Sequence, residues 1–316
     1  YTSSNSKVFD LIIKKSWDNH IYNENITIPE TLPQYYNLAD YGYITQIKNQ
    51  VSSGNCWAFA AIATVESCLI KSTGQVYDLS ENNMKNIMAL YSKNGWIKQT
   101  NDGGFDDMLL GYLLNWIGPV LEVDDQYNPY GYISSEISNI IQLSNVYGIP
   151  TRKNATDNTQ IKQAIMKYGA VYSPIYTSYS YNGCNLFYNQ TTNINHAITI
   201  IGWDDNYSRY NFRNTPAGDG AFIIKNSWGE NAGDHGYFYV SYYDTTILSS
   251  IDDMTGCGGF TFTFDNMKFD KQYHYDYSGY NTWFCENTNT ITYSNEYKTV
   301  ENEQISAFGT YIYDIT

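Results

Sequence analysis

The 316-residue chain carries 18 Lys+Arg against 32 Asp+Glu, a formal net charge of −14, with 42% hydrophobic and 17% aromatic residues. A chain this long and this apolar buries a core of its own and does not read as disordered. The acidic balance argues against a nucleic-acid binder, which needs a basic face, and no apolar run approaches the roughly 20 residues of a membrane span. The 33 tyrosines, with many Asn, Ser and Thr, suit an extracellular or cell-surface protein and equally an AT-rich coding bias. The five cysteines are Cys56, Cys68, Cys184, Cys257 and Cys285, an odd number with no C-x-x-C pair. A zinc or thioredoxin-like reading therefore has little support, no metal or organic cofactor is expected, and disulfide pairing cannot be deduced.

Residues 1–30 are polar around one apolar patch, Val8–Ile13, and read as an N-terminal strap or the remnant of a pro-segment; Pro29 and Pro33 then punctuate the chain. From Asn55, Ala58, Ala61, Ile62, Val65, Leu69 and Ile70 recur at the helix period, with Lys71 in the last turn and Gly74 just beyond. Small and apolar residues occupy nearly every side of that helix, so it should be central. A second helix is predicted from Ser80 with Ile87, Met88 and Leu90 inside, a third over Asp106–Trp116, stopped by Gly118-Pro119, and a fourth over Gln160–Lys167. After Gly169 the texture turns to strands at Ala170–Tyr176, His196–Gly202, Ala221–Lys225 and Gly236–Tyr243. Helices first and strands later predict an α+β protein of two lobes. From about Ser249 a further β-rich stretch begins, including Gly259–Phe264 and Ile305–Ile315, so the expected domains are 31–248 and a β-rich extension over 249–316.

The chemistry concentrates in Gln50-Val-Ser-Ser-Gly-Asn-Cys56-Trp-Ala-Phe. A cysteine in the first turn of a helix faces free N–H groups and the positive dipole end, which favour a thiolate. Gln50 lies within reach through a Gly-containing turn. Its amide beside the Cys56 backbone N–H would make two donors for an oxyanion. The partner base is His196, at the mouth of a strand, and Asn226 after another strand is the candidate orienter of its ring. Trp228, two residues on, is placed to shield that hydrogen bond from water. Glu66 reads as a hydrogen-bonded core carboxylate, Cys68 as a structural thiol, and Asp204-Asp205-Asn206 as a solvated turn rather than a calcium loop.

These residues resemble the papain-like cysteine proteases over about Leu32 to Tyr243. The matching pieces arrive in the family's order: Gln50, Cys56-Trp-Ala-Phe, Leu79-Ser80-Glu81-Asn82, Gly103-Gly104, Asn195-His196-Ala197 and Asn226-Ser-Trp-Gly229. The resemblance implies a helical left lobe and a β-barrel right lobe with a cleft between them. It implies Cys56 as nucleophile, His196 as base and acid, Asn226 as orienter and Gln50 in the oxyanion hole. Gly103-Gly104 resembles the edge that pairs with substrate backbone beside the S2 pocket. Two departures stand out. Asn55 precedes the nucleophile where the family usually has Ser or Ala, and a common family disulfide has no counterpart, its positions being Ser53 and Asn101. The long segment 202–222 and the Tyr-rich tail resemble a microbial surface-associated branch in which a lectin-like domain follows the protease.

The expected function is thus a secreted or surface-attached cysteine endopeptidase acting on polypeptides, with a surface or cell-wall glycan as a further partner of the extension. Two rivals remain open in the sequence. One is a cell-wall peptide amidase or transpeptidase using the same groups. The other is a surface adhesin or carbohydrate-binding protein for which the protease lobe is scaffold.

Overall fold

A computed structural model describes residues 13–14, 29, 31–143, 145–177, 186–249, 257–264, 271–273, 296 and 298. Its central element is helix α1, Cys56–Thr73, in which every residue from Trp57 to Ile70 is buried. That follows from the Ala-, Ile- and Val-rich stretch, whose small side chains allow close approach on all sides. Gly74, in the left-handed region at φ 73°, ends the helix by donating its N–H to the Ile70 carbonyl. Helix α2, Glu81–Ile87, is capped by the Ser80 hydroxyl, which accepts the Asn83 N–H at 3.0 Å. Helix α3 spans Asp106–Leu114. These helices share a core of Trp57, Val65, Leu69, Met84, Leu109 and Tyr112.

The remaining described elements are strands around one further helix. They are β1 Ile13–Lys14, β2 Tyr35–Asn37, β3 Asn145–Pro150, α4 Thr159–Tyr168, β4 Val171–Ile175, β5 Leu186–Phe187, β6 His196–Asp204, β7 Ala221–Lys225, β8 Tyr237–Ser241 and β9 Cys257–Thr263. The strands run in the order β1-β3-β9-β4-β6-β7-β8-β5, with β2 also paired to β6. Pairing is antiparallel except at β1–β3 and β5–β8. A second core of Ile165, Ile198, Trp203, Phe222, Ile224 and Phe238 fills this lobe. The predicted α+β architecture of a helical and a β-rich lobe is what the chain adopts.

The structure corrects three expectations and adds one strand. Leu90 is 57% exposed rather than inside α2, because the helix stops at Ile87 and the 3.6-residue period ends with it. The third helix ends at Leu114, and Trp116 turns into the left-handed region at φ 55°. The strand at Asn145–Pro150 was not anticipated, since Gly148 and Pro150 interrupt its pattern. Gly148 is required there: a Cβ would lie 2.3 Å from the Cys257 sulfur on the neighbouring strand. Finally, β9, expected inside a separate extension beginning at 249, is hydrogen-bonded between β3 and β4, so Cys257–Thr263 completes the sheet of the β-rich lobe. The other expectations for the tail, including Ile305–Ile315, lie outside the described residues, as do Cys184 and Cys285.

The two lobes are stitched beside the N-terminus of α1. Asn49 bridges to Trp228, Gln50 N–H donates to Ser227 O at 2.8 Å, and Gly229 N–H donates to Lys48 O at 3.1 Å. Behind this seam lies a buried charge cluster. Lys48 Nζ is 3.2 Å from Glu66, 2.8 Å from Asp78 and 2.9 Å from Glu81. Lys225, the residue before Asn226, donates to the Thr45 carbonyl at 3.1 Å and to its hydroxyl at 2.9 Å, and that hydroxyl in turn donates to Glu66. Burial disfavours charge on Lys48, yet the neighbouring Glu81 and Glu66 carboxylates outweigh it and push the ammonium's pKa up. Burial pulls the Lys225 ammonium down to about 8.

Candidate active site

Cys56 is the first residue of α1, His196 opens β6, and Asn226 follows β7. Each side chain is thus carried at the end of a regular element, where its backbone is fixed by the ladder or helix behind it. The structure brings all three together. His196 Nε2 lies 2.9 Å from Asn226 Oδ1, and both residues are buried. The Asn226 oxygen also accepts the Ser227 N–H at 2.8 Å. A backbone N–H can only donate, so this bond fixes which end of the amide faces the imidazole. Because Oδ1 can only accept, His196 Nε2 must carry a proton, and Nδ1 is left for the hydrogen bond to Cys56.

The electrostatics follow from that contact. Burial works against a thiolate at Cys56. The positive His196 ring, its hydrogen bond and backbone hydrogen bonds at Ala197 and Trp57 outweigh burial, and the thiol sits below its ordinary value. Burial likewise disfavours charge on His196, but Cys56 and then Asn226 favour it, and the imidazole is raised above its ordinary value. The two shifts are the two sides of one thiolate–imidazolium pair. Trp228 covers the ring from one side, with centroids 5.0 Å apart, and is itself held edge-on against Phe238 at 5.5 Å.

Gln50, 6% exposed, is held at both ends of its amide. Its oxygen accepts the Ser227 hydroxyl at 2.5 Å, and its nitrogen donates to the Ser53 carbonyl at 2.6 Å. An amide nitrogen carries two hydrogens, so one donor remains beyond the Ser53 contact. Ser227, whose role the sequence reading left unassigned although it sits inside the Asn-Ser-Trp-Gly motif, thereby orients two site residues. Its N–H sets Asn226 and its hydroxyl sets Gln50.

Gly103 and Gly104 lie against the same loop. A Cβ on Gly54 would meet Gly103 N at 2.6 Å, and one on Gly104 would meet the Trp57 indole at 2.4 Å. Gly103 adopts φ 85°. The two glycines therefore border the start of α1, with their backbone beside the cysteine. Glu66 and Cys68 fall where expected, and the turn at Asp204-Asp205-Asn206 is tied to the lobe rather than simply solvated. Glu66 is a buried carboxylate that accepts the Leu79 N–H at 2.9 Å. Cys68 faces away from the site, 3.4 Å from the Thr261 hydroxyl, and burial pushes its thiol up to about 11. Asp205 Oδ1 is occupied by Lys162 at 2.5 Å and the Tyr242 hydroxyl at 2.6 Å, which leaves that oxygen to a cation of the protein itself. Among the described residues no group of three or more His, Cys, Asp or Glu could hold a metal, and no helix is long and apolar enough to cross a membrane.

The profile of the papain family cysteine proteases matches residues 32–258. The chain belongs to the papain family of cysteine proteases. Fruit bromelain of Ananas comosus is 28% identical over 217 residues, covering 65% of this chain and 54% of bromelain's length. Macrodontain-1 of Ananas macrodontes is 28% identical over 221 residues, covering 66% of this chain and 89% of its own. Among solved structures, the cysteine protease and lectin-like domains of Cwp84, a surface layer associated protein of Clostridium difficile, align with a TM-score of 0.68 at 31% identity. That alignment covers 81% of this chain and 57% of the other. Cwp84 after propeptide cleavage aligns with a TM-score of 0.63 at 31% identity, covering 73% and 58%. The chain thus spans little more than half the length of fruit bromelain and of these Cwp84 structures.

Proposed function

We propose that the protein is a cysteine endopeptidase in which Cys56, His196 and Asn226 form the catalytic triad and Gln50 with the Cys56 N–H forms the oxyanion hole. The observation that carries this is the single hydrogen-bonded chain from Asn226 Oδ1 through His196 to Cys56, in which the amide orientation dictates the tautomer. Cys56 Sγ attacks the peptide carbonyl carbon. The carbonyl π electrons move to oxygen, which takes hydrogen bonds from Gln50 Nε2 and the Cys56 N–H. His196 then gives its Nδ1 proton to the leaving amine as the C–N bond breaks, and an acyl-enzyme remains. Water enters, its oxygen bonds to the acyl carbon as His196 takes its proton, and the C–S bond breaks to release the carboxylic acid and regenerate the thiolate. Asn226 and Trp228 hold the imidazole throughout. Gly103-Gly104 presents the backbone edge against which a substrate strand lies.

A secreted or surface-attached setting is supported by the surface layer association of the Cwp84 relative. The proposed organisation is a strap or pro-segment remnant over 1–30, the protease domain from 31, and a lectin-like extension in the tail that takes a surface or cell-wall glycan. A glycan-binding screen of the full chain with the protease site blocked tests the last point, and the absence of any glycan-dependent binding removes it.

Intact mass after brief treatment with a cysteine-directed epoxide tests the catalytic reading, comparing wild type with Cys56→Ala and His196→Ala. One adduct on wild type alone is expected. An adduct that persists in Cys56→Ala, or reactivity untouched in His196→Ala, overturns the triad. A panel of ordinary peptides against cell-wall cross-links then separates endopeptidase from amidase or transpeptidase.

A further inference from the structure

The loop that carries the oxyanion donor is short, partly exposed and irregular. Val51 within it is 53% exposed and sits at φ 57°. Something outside the loop has to hold it, and the structure supplies an anchor from far along the chain. The Tyr127 hydroxyl lies 2.7 Å from Ser53 Oγ, donates to the Gln50 carbonyl at 3.0 Å and accepts from Asn55 Nδ2 at 3.3 Å. Ser53 Oγ is itself 2.7 Å from the Gln50 carbonyl. The three oxygens form a triangle with two hydroxyl protons, so either proton arrangement delivers a donor to the Gln50 carbonyl. Burial keeps the Tyr127 phenol above its ordinary value, and it remains a neutral donor and acceptor.

Tyr127 is in turn fixed on three sides. Its N–H donates to Glu122 Oε1 at 2.8 Å, its ring meets Phe59 edge-on at 4.8 Å, and Lys85 Nζ sits over the ring at 5.6 Å. A second clasp runs alongside: Asn55 Nδ2 donates to Asn101 Oδ1 at 2.9 Å, Gly54 N–H to Asn101 O at 3.1 Å, and Asn101 Nδ2 to Pro129 O at 2.7 Å. Segment 127–129 thus grips both the loop before Cys56 and the approach to Gly103-Gly104.

We infer that Tyr127 is a positioning residue for the oxyanion hole: its hydroxyl, through the Gln50 carbonyl, Ser53 and Asn55, sets where the Gln50 amide and the Cys56 N–H stand relative to the sulfur. The inference rests on the catalytic reading above. It has a distinctive kinetic signature, because an oxyanion develops only in acyl transfer. Alkylation of the thiolate by iodoacetamide forms none.

The test is Tyr127→Phe, which keeps the ring contacts and removes the hydroxyl. Losing an entire oxyanion donor costs about 100- to 1,000-fold in kcat, so loosening its support should lower kcat by roughly 10-fold with KM unchanged. Affinity for a peptide aldehyde, whose carbonyl adds the Cys56 sulfur reversibly and places its oxygen in the same hole, should fall by the same factor. The rate and pH profile of iodoacetamide alkylation should not move, since the His196–Cys56 pair does not touch Tyr127. Ser53→Ala leaves Tyr127 bonded to both Gln50 and Asn55, whereas Tyr127→Phe keeps only the Ser53–Gln50 bond, which lies within the loop and ties it to nothing outside, so Ser53→Ala should lose less. Wild-type kcat and aldehyde affinity in Tyr127→Phe would overturn the inference. So would a parallel fall in alkylation, which marks general loosening, or a larger loss in Ser53→Ala. An active wild type with any of those results leaves the triad standing; a wild type inert to peptide, aldehyde and alkylation overturns both.

Discussion

Glu66→Gln isolates what the buried charge cluster contributes to joining the lobes. Glu66 is fully buried on α1, and its two oxygens serve three partners: Lys48 at 3.2 Å and the Leu79 N–H at 2.9 Å on one, and the Thr45 hydroxyl on the other. Thr45 passes the contact to Lys225 on β7, so one carboxylate links the helical lobe to the sheet. Glutamine has nearly the same shape and keeps one acceptor for Leu79 and Lys48, while its nitrogen replaces the oxygen that accepts the Thr45 hydroxyl, so packing is preserved and the charge is removed together with one hydrogen bond. The buried Lys48 ammonium is then left with Glu81, whose carboxyl burial pushes up to about 8, and with the half-exposed Asp78. Breaking a buried ion pair by removing one partner costs about 3–5 kcal/mol, because it strands the other charge. For a domain of this size that corresponds to a fall in Tm of roughly 6–20 °C. The seven tryptophans make intrinsic fluorescence the natural readout, in a thermal ramp and in a urea titration at constant m. A Glu66→Gln protein that melts within about 2 °C of wild type would refute the reasoning, since the carboxylate charge would then contribute nothing net.

Three further outcomes follow from the site. Iodoacetamide alkylation of Cys56 should persist as pH falls below the ordinary thiol range, because His196 holds the thiolate. In His196→Ala the inflection should move upward, because burial, which raises the thiol, is then no longer outweighed by the imidazolium; an unmoved inflection would sink the ion-pair account. Asn226→Ala removes a hydrogen bond to a charged ring, about 1.5–3 kcal/mol, and should lower kcat/KM by roughly 10- to 150-fold while Tm changes far less than in Glu66→Gln. Gly104→Ala drives a methyl to 2.4 Å from the Trp57 indole, which is 3% exposed and cannot retreat, so stability should drop by about 1–3 kcal/mol and peptide turnover should fall with it; unchanged urea unfolding would show that the ring yields.

Features local in the chain were legible before any fold was known. The period from Ala58 to Ile70 and the glycine at 74 define α1, because a helix is built from contacts three and four residues apart. Ser80 announces the start of α2 through one hydroxyl and one N–H three positions on. The candidate site was legible for a related reason. Cys56, His196 and Asn226 each sit at the end of a strongly patterned element, and each brings a side chain whose chemistry is specific. Tertiary structure alone decided the rest. The strand at Asn145–Pro150 has no period of its own and exists because β9 pairs with it across more than a hundred residues. For the same reason β9 belongs to the sheet rather than to a separate tail. Whether Leu90 is inside or outside depended on where α2 stopped, not on its own hydrophobicity. The Ser227 hydroxyl on Gln50, and the Tyr127 hydroxyl on the loop before Cys56, join positions 177 and 77 residues apart. No local pattern encodes such pairs. Their partners are chosen by the packing of the two lobes, and the energy that selects them appears only when the seam has closed.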